Sequence, residues 1–169
     1  MAGRESSGVA SASADLFLGR PWVLIPGSAA SPANIAATEA LASATGARTM
    51  RLTASEHDAA VAAISHLPLV VSAALVEAVT RGSERDDLWP LASSLGAGGW
   101  RDTTRVARGD PDMGAGILAT NAQPVADGLR ALRDVIDGWL EQLEAAEPID
   151  AERVRRRLEA ARSALEAAG

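Results

Sequence analysis

The side chains able to do chemistry are few, and their types are narrow. The chain has two histidines, His57 and His66, and no cysteine. Thiol catalysis, disulfides and thiolate metal sites are therefore excluded. Nine helical residues separate the two imidazoles, which puts them about 180° apart around a helix, so they do not share one metal ion. With no third histidine to complete a ligand set, no metal site is expected. Ser65-His66 lies in an otherwise apolar helical segment. There His66 is either a core histidine bonded to a backbone carbonyl or a polar group facing a ligand. His57 reads as a first-turn helix residue. All 16 basic residues are arginine. Arg105, between Asp102 and Asp110, is either a surface residue paired with those acids or a carboxylate-binding group. A planar guanidinium grips a carboxylate with two charge-assisted hydrogen bonds and never loses its charge.

These groups need a scaffold, and the composition says which. Apolar residues make up 47% of 169 residues, enough for one core, while aromatics are only 3%. Alanine supplies much of the apolar count and favours close-packed helices. A net charge of −6 argues against nonspecific nucleic-acid or anionic-membrane binding. The one basic cluster, Arg153, Arg155, Arg156 and Arg157, is interleaved with glutamates and reads as a solvated helix face. No uninterrupted run approaches the ~18 apolar residues of a membrane span. The small, polar N-terminus lacks a signal-peptide core, so a cytoplasmic location is expected.

Along the chain, residues 1–20 read as loop. Trp22 to Ile25 reads as a buried strand. Ser31-Pro32 caps a helix that stops near Gly46, and Arg48 to Leu52 forms a second strand. Thr53 with Glu56 fits a capping box opening a helix that runs to about Arg81 and ends at Gly82. One face of it carries Val61, Ile64, Pro68, Val71, Leu75 and Val79, and the other is small and apolar. A helix apolar all round is expected to be buried on all sides, in part by a second subunit. Pro68 frees a backbone carbonyl near Ile64, which predicts a kink or a local polar site. Residues 88–95 suit a short helix, Gly96 to Gly99 a flexible loop, and Asp110-Pro111 a new helix start. That helix is interrupted near Pro124, and Glu147-Pro148 breaks the next one before a charged helix over 150–168. The fold class expected is mainly α. A small strand–helix–strand piece, 1–53, precedes an all-helical domain, 54–169. Two strands do not make an independent sheet, so the α/β piece reads as the tail of a larger domain.

Three stretches resemble the prephenate and arogenate dehydrogenase family. His57-Asp58 through Ser65-His66-Leu67-Pro68 resembles its HD…SHLP signature. Gly98-Gly-Trp-Arg-Asp102-Thr-Thr-Arg105 through Asp110-Pro111 resembles its GGFxDxTRIA…DP stretch. Met1-Ala-Gly3-Arg-Glu5 with Asp15-Leu-Phe17 resembles the segment after its catalytic histidine. The resemblance implies a two-domain oxidoreductase of tyrosine biosynthesis. The first domain is a Rossmann-type, dinucleotide-binding one, and 1–53 is its C-terminal remnant. The second is helical, forms a homodimer and completes the substrate site. The implied reaction is NAD- or NADP-dependent oxidative decarboxylation of prephenate to 4-hydroxyphenylpyruvate, or of the related arogenate.

By that resemblance Arg105 binds a substrate carboxylate, and Ser65 and His66 line the pocket for substrate or for tyrosine as effector. Gly98 is a loop glycine at the pocket, while Glu5 and Asp102 are acidic residues that could gate its mouth. The family's catalytic histidine would precede Met1, so no catalytic residue is expected in this chain. No GxGxxG occurs; Gly96-Ala-Gly98-Gly99 lacks the last glycine and follows no strand. The expectation is a chain inactive by itself. The alternative is a non-catalytic dimerisation or tyrosine-sensing module. Two positions depart from the family pattern: Leu69 replaces the second histidine of SHLPH, and Gly114 stands where relatives often carry an aromatic residue.

Overall fold

The computed structural model describes residues 8–81, 88–145 and 149–168. They fall into two compact units, Met1–Val125 and Ala126–Gly169. The fold is mainly helical with one small sheet, as expected.

The first unit opens with a short 3₁₀ turn, Val9–Ser11, and then strand β1, Pro21–Leu24. Helix α1, Pro32–Ala44, starts where Ser31 accepts a hydrogen bond from the Asn34 backbone, with Pro32 at the first helical position. It ends at Gly46, whose φ of +77° is left-handed. A Cβ there would lie 2.6 Å from Leu18 Cδ1, which an exposed leucine can relieve by moving, so it is the left-handed backbone that favours glycine. Strand β2, Arg48–Arg51, pairs in parallel with β1, with Trp22 opposite Thr49 and Leu24 opposite Arg51. The Arg51–Glu39 ion pair ties β2 to α1, and its hydrogen bonds hold the Glu39 carboxyl below its ordinary value. The strand expected to be buried is only partly so. Leu24 is buried, whereas Ile25 lies beyond the strand and is exposed, because each strand has a single neighbour.

Helix α2, Ala54–Val61, opens on the expected capping box. Thr53 Oγ1 accepts from the Glu56 backbone at 3.2 Å, and the Glu56 carboxylate accepts from the Thr53 backbone at 2.8 Å. The helix then widens into one π turn, Ala62–His66, in which the Leu67 N–H reaches the Ala62 carbonyl. Helix α3, Leu67–Thr80, follows with Pro68 in its first turn. The expected irregularity next to Pro68 is thus a π turn, placed where the proline ring removes a donor. The continuous stretch Ala54–Thr80 is also long and apolar enough, by length and composition, to cross a membrane. The search for an uninterrupted run missed this, because Ser65, His66 and Ser72 break the run without lowering its average much.

The all-round burial expected of this stretch does not occur within the chain. Ile64 is 73% exposed, while Ala62 and Ser72 are almost wholly buried. The extra residue of the π turn rotates the helix face away from simple periodicity, and only one side has neighbours in this unit. Ser72 Oγ donates to the Thr103 carbonyl at 3.0 Å, fixing α3 to α5, Gly98–Thr104. The expected glycine loop is shorter than predicted, since Gly98 and Gly99 already belong to α5. Between α3 and α5 lies helix α4, Trp89–Ser94, held to α5 by a tilted Trp89–Trp100 contact at 5.7 Å. The predicted stop at Gly82 lies outside the described residues. After α5 comes a 3₁₀ turn, Arg105–Arg108, then α6, Pro111–Thr120, capped by Asp110, which accepts from the Asp112 backbone at 2.9 Å.

Helix α7, Ala122–Glu144, begins just after Asn121. The predicted interruption therefore falls at Asn121, and Pro124 sits in the first turn, where no hydrogen bond is lost. The second unit holds most of α7 and helix α8, Ala151–Ala168. The break predicted at Glu147-Pro148 lies outside the described residues. Arg155 and Arg156 pair with Glu152 and Glu159 on the solvated face expected of them. Arg157 behaves differently. Its guanidinium donates to the Val135 and Gly138 carbonyls at 2.9 and 2.8 Å and lies 4.0 Å from the Trp139 ring centroid, locking α8 to α7.

Candidate functional site

One cavity gathers the predicted polar residues. It holds about 250 Å³ and is lined by Ser65, His66 and Leu69, by Arg105, Val106, Arg108 and Gly109, and by Met113 and Ile117. Three elements contribute. The π turn presents Ser65 and His66, the 3₁₀ turn presents both arginines, and α6 supplies an apolar wall.

Each element is held by local chemistry. The Ser72–Thr103 hydrogen bond anchors the end of α5, and Thr104, buried next to it, donates to the Trp100 carbonyl at 2.7 Å. The chain therefore leaves α5 at a fixed point and enters the tight turn that carries Arg105 and Arg108. In a 3₁₀ turn residues three apart eclipse, so the two guanidinium groups rise from the same side. On the other wall, His66 is half-buried and its Nδ1 lies 3.1 Å from Asn121 Nδ2. The same amide nitrogen donates to the Asp58 carbonyl at 2.8 Å.

Sequence reasoning did not single out Asn121. The available signal was its place before a helix start; nothing local shows that it reaches back to residues 58 and 66. Arg108 was also missed, because it falls in the part of the TR…DP stretch without a family role. The partner of His66 is a side-chain amide rather than the backbone carbonyl considered for a core histidine. His57, by contrast, places its Nδ1 3.0 Å from the carboxylate of its neighbour Asp58 and does not line the cavity.

The other predicted positions are distributed as follows. Gly98 opens α5, a Cβ there would meet nothing within 4 Å, and it is not part of the cavity lining. Asp102 is exposed on α5, three residues before Arg105. Glu5 lies outside the described residues. Leu69 and Gly114, the two departures from the family pattern, face one another: a Cβ on Gly114 would sit 3.6 Å from Leu69 Cδ2. The larger side chain at one position occupies space that the absent one leaves free.

The loop after β1 carries one glycine, Gly27, and no basic side chain, and the α1 N-terminus is already capped by Ser31. The crevice beside it, lined by residues such as Trp22, Ile25, Asn34 and Thr38, is open and mostly apolar. Among the described residues, no three His, Cys, Asp or Glu side chains converge on a common point.

Residues 53–158 match the family described as prephenate dehydrogenase, dimerization domain. The chain belongs to the prephenate dehydrogenase family. It is 34% identical to the prephenate dehydrogenase of Bacillus subtilis over 144 residues, which covers 85% of this chain and 36% of that one. The crystal structure of Synechocystis arogenate dehydrogenase superposes with a TM-score of 0.79 at 30% identity, covering 97% of this chain and 59% of that one. The fold also matches prephenate dehydrogenase from A. aeolicus, solved in complex with hydroxyphenyl propionate and NAD+. There the TM-score is 0.79 at 23% identity, covering 96% of this chain and 56% of that one. The chain thus spans about a third of the curated relative's length and under two thirds of the solved chains. The family resemblance of the motifs and the helical fold class stand together in these matches.

Proposed function

We propose that this chain is the substrate-binding and dimerising portion of a prephenate dehydrogenase. That activity is the NAD- or NADP-dependent oxidative decarboxylation of prephenate to 4-hydroxyphenylpyruvate in tyrosine biosynthesis. The observation that carries the reading is the cavity in which His66, Ser65, Arg105 and Arg108 meet an apolar wall. Prephenate has an apolar ring and two carboxylates. Arg105 suits one carboxylate through a bidentate grip, and Arg108, rising from the same turn, suits the second by charge. Leu69, Met113 and Ile117 suit the ring. Arogenate keeps both carboxylates and carries an ammonium in place of the side-chain ketone, so the two arginines suit either ligand by their carboxylates.

The chain's own side chains bind and orient; none is assigned a proton-transfer step at the reacting carbon. The nicotinamide cofactor would supply the hydride acceptor when bound, and the loop after β1 in this chain carries no basic side chain for its phosphates. The proposed boundary between the α/β piece and the helical domain is at residues 53 and 54. There the capping box starts α2 directly after β2, and the family match also begins at residue 53. A homodimer is inferred from the family's dimerization domain together with exposed Ile136, Leu140 and Leu143, which recur at helical spacing on α7.

Titration calorimetry with prephenate, arogenate and tyrosine tests the reading. The wild-type chain is expected to bind prephenate. Arg105→Ala should weaken that binding by about 10-fold or more, since a hydrogen bond to a charged group contributes ~1.5–3 kcal/mol. Absence of heat with prephenate at millimolar concentration would overturn the proposal. Heat with tyrosine alone would favour an effector pocket instead.

A further inference from the structure

We infer that Asn121 is a positioning residue that sets the tautomer of His66, leaving Nε2–H as the cavity's neutral hydrogen-bond donor. Asn121 is buried, with 7% of its surface exposed. Its backbone is fixed at the junction of α6 and α7: its N–H donates to the Ile117 carbonyl at 3.1 Å, and its carbonyl accepts from the Val125 N–H at 3.4 Å. Its side chain reaches across to α2 and the π turn.

The proton assignment follows from the Asp58 carbonyl. A carbonyl oxygen only accepts, so the Asn121 atom 2.8 Å away must be the amide nitrogen, not the amide oxygen. That nitrogen has two hydrogens. One serves Asp58, and the other is directed at His66 Nδ1, 3.1 Å away. A donor facing Nδ1 requires a lone pair there. The neutral imidazole therefore carries its proton on Nε2. With Nδ1 occupied by Asn121, the ring edge left for a ligand is the Nε2–H edge.

Asparagine suits this place for a specific reason. Serine has one donor for two acceptors, and aspartate has none. Aspartate would also accept from Nδ1–H and so move the proton to the wrong nitrogen. The residue joins segments 58, 66 and 121, far apart in sequence, at a point where the helix is already widened. The π turn presents His66, and Asn121 decides which atom of it donates. In the cavity, a fixed donor at His66 beside the guanidinium of Arg105 would orient an oxygen of the ligand without adding charge. This last step rests on the proposed prephenate site; the tautomer itself does not.

The test is ¹⁵N NMR of the full chain labelled in histidine, recorded near pH 9, where imidazoles are neutral. The His57 signals are assigned by a His57→Gln variant. In the wild type, the His66 Nδ1 resonance should fall at the unprotonated position and Nε2 at the protonated one. Asn121→Asp should move the proton to Nδ1, and Asn121→Ala should give a mixture of tautomers. Both variants should weaken prephenate binding about 10-fold. If these variants do not fold, Asn121→Gln or Asn121→Ser takes their place, and a tautomer ratio unchanged from the wild type in a folded variant overturns Asn121 as its cause. A protonated Nδ1, or an even mixture, in the wild type overturns the inference. A fixed Nε2–H tautomer with no prephenate binding overturns the ligand assignment and leaves Asn121 as the positioning residue.

Discussion

Gly114→Ala should make the protein more stable, and the structure says by how much. Gly114 lies inside α6 and is not among the glycines with positive φ. Its backbone is therefore one that alanine adopts without strain. The added Cβ would stand 3.6 Å from Leu69 Cδ2, an ordinary van der Waals distance, and would meet no other atom within 4 Å. Glycine in a helix interior is less favourable than alanine by ~0.8–1 kcal/mol, largely because the unfolded chain is freer. A fully buried methylene adds about 0.8 kcal/mol, and Gly114 is only half-buried, so the contact contributes about half of that. The expected gain is about 1 kcal/mol, which raises Tm by roughly 2–4 °C for a chain of this size. Thermal melts followed by circular dichroism read this directly, with urea unfolding as a second measure. Prephenate binding should be unchanged, because Gly114 does not line the cavity whereas Leu69 does. A lower Tm would refute the reasoning, since it would mean that the α6–Leu69 contact has no room for a methyl group. Gly114→Trp is the informative contrast. An indole there must displace Leu69, and binding should fall even if the helix survives.

Three further outcomes are expected. Arg108→Ala should weaken prephenate binding by about 3-fold, the effect of an exposed charge pair of ~0.2–1 kcal/mol, measured by calorimetry; an unchanged affinity would count against a second carboxylate contact. Thr53→Ala should cost about 1 kcal/mol of stability by removing the α2 cap, read from urea unfolding. The Glu56 carboxyl is held below its ordinary value, first by the Thr53 backbone N–H and then by the Thr53 hydroxyl. Its stabilising contribution is therefore present above the ordinary carboxylate range and lost as pH falls through the lowered value. Melts at neutral and acid pH should show a smaller acid loss in Glu56→Gln than in the wild type, and an unchanged loss would count against the capping box as its source.

Much of the local structure was legible because local chemistry decides it. The Ser31 and Asp110 caps, the Thr53–Glu56 box and Gly46 each act within a few residues, so composition and spacing reveal them. The motif Ser65-His66 with Arg105 likewise pointed to residues that meet in one cavity. Other features depend on contacts distant in sequence. Exposure of Ile64 follows from a π turn that ordinary periodicity does not encode. Arg157 reads as one of four similar arginines until Trp139 and the α7 carbonyls are placed beside it. Gly98 reads as a pocket glycine and instead opens a helix whose first residue has empty space around it.

The sequence alone determined that the chain is mainly helical after a short strand–helix–strand piece. It also showed which family the chain resembles, and that resemblance pointed to Arg105 as the carboxylate-binding candidate. Those properties reside in residue types, caps and short motifs. Tertiary structure alone decided that Arg108 meets Ser65 and His66 in the cavity, that Leu69 and Gly114 share one space, and that Asn121 bridges Asp58 and His66. Each is a meeting of residues more than two helical turns apart or on different elements. No local pattern records such a meeting, because only packing brings the partners within a few ångströms. The polarity of the cavity is thus written in the sequence, but the direction of its donors is set by the fold.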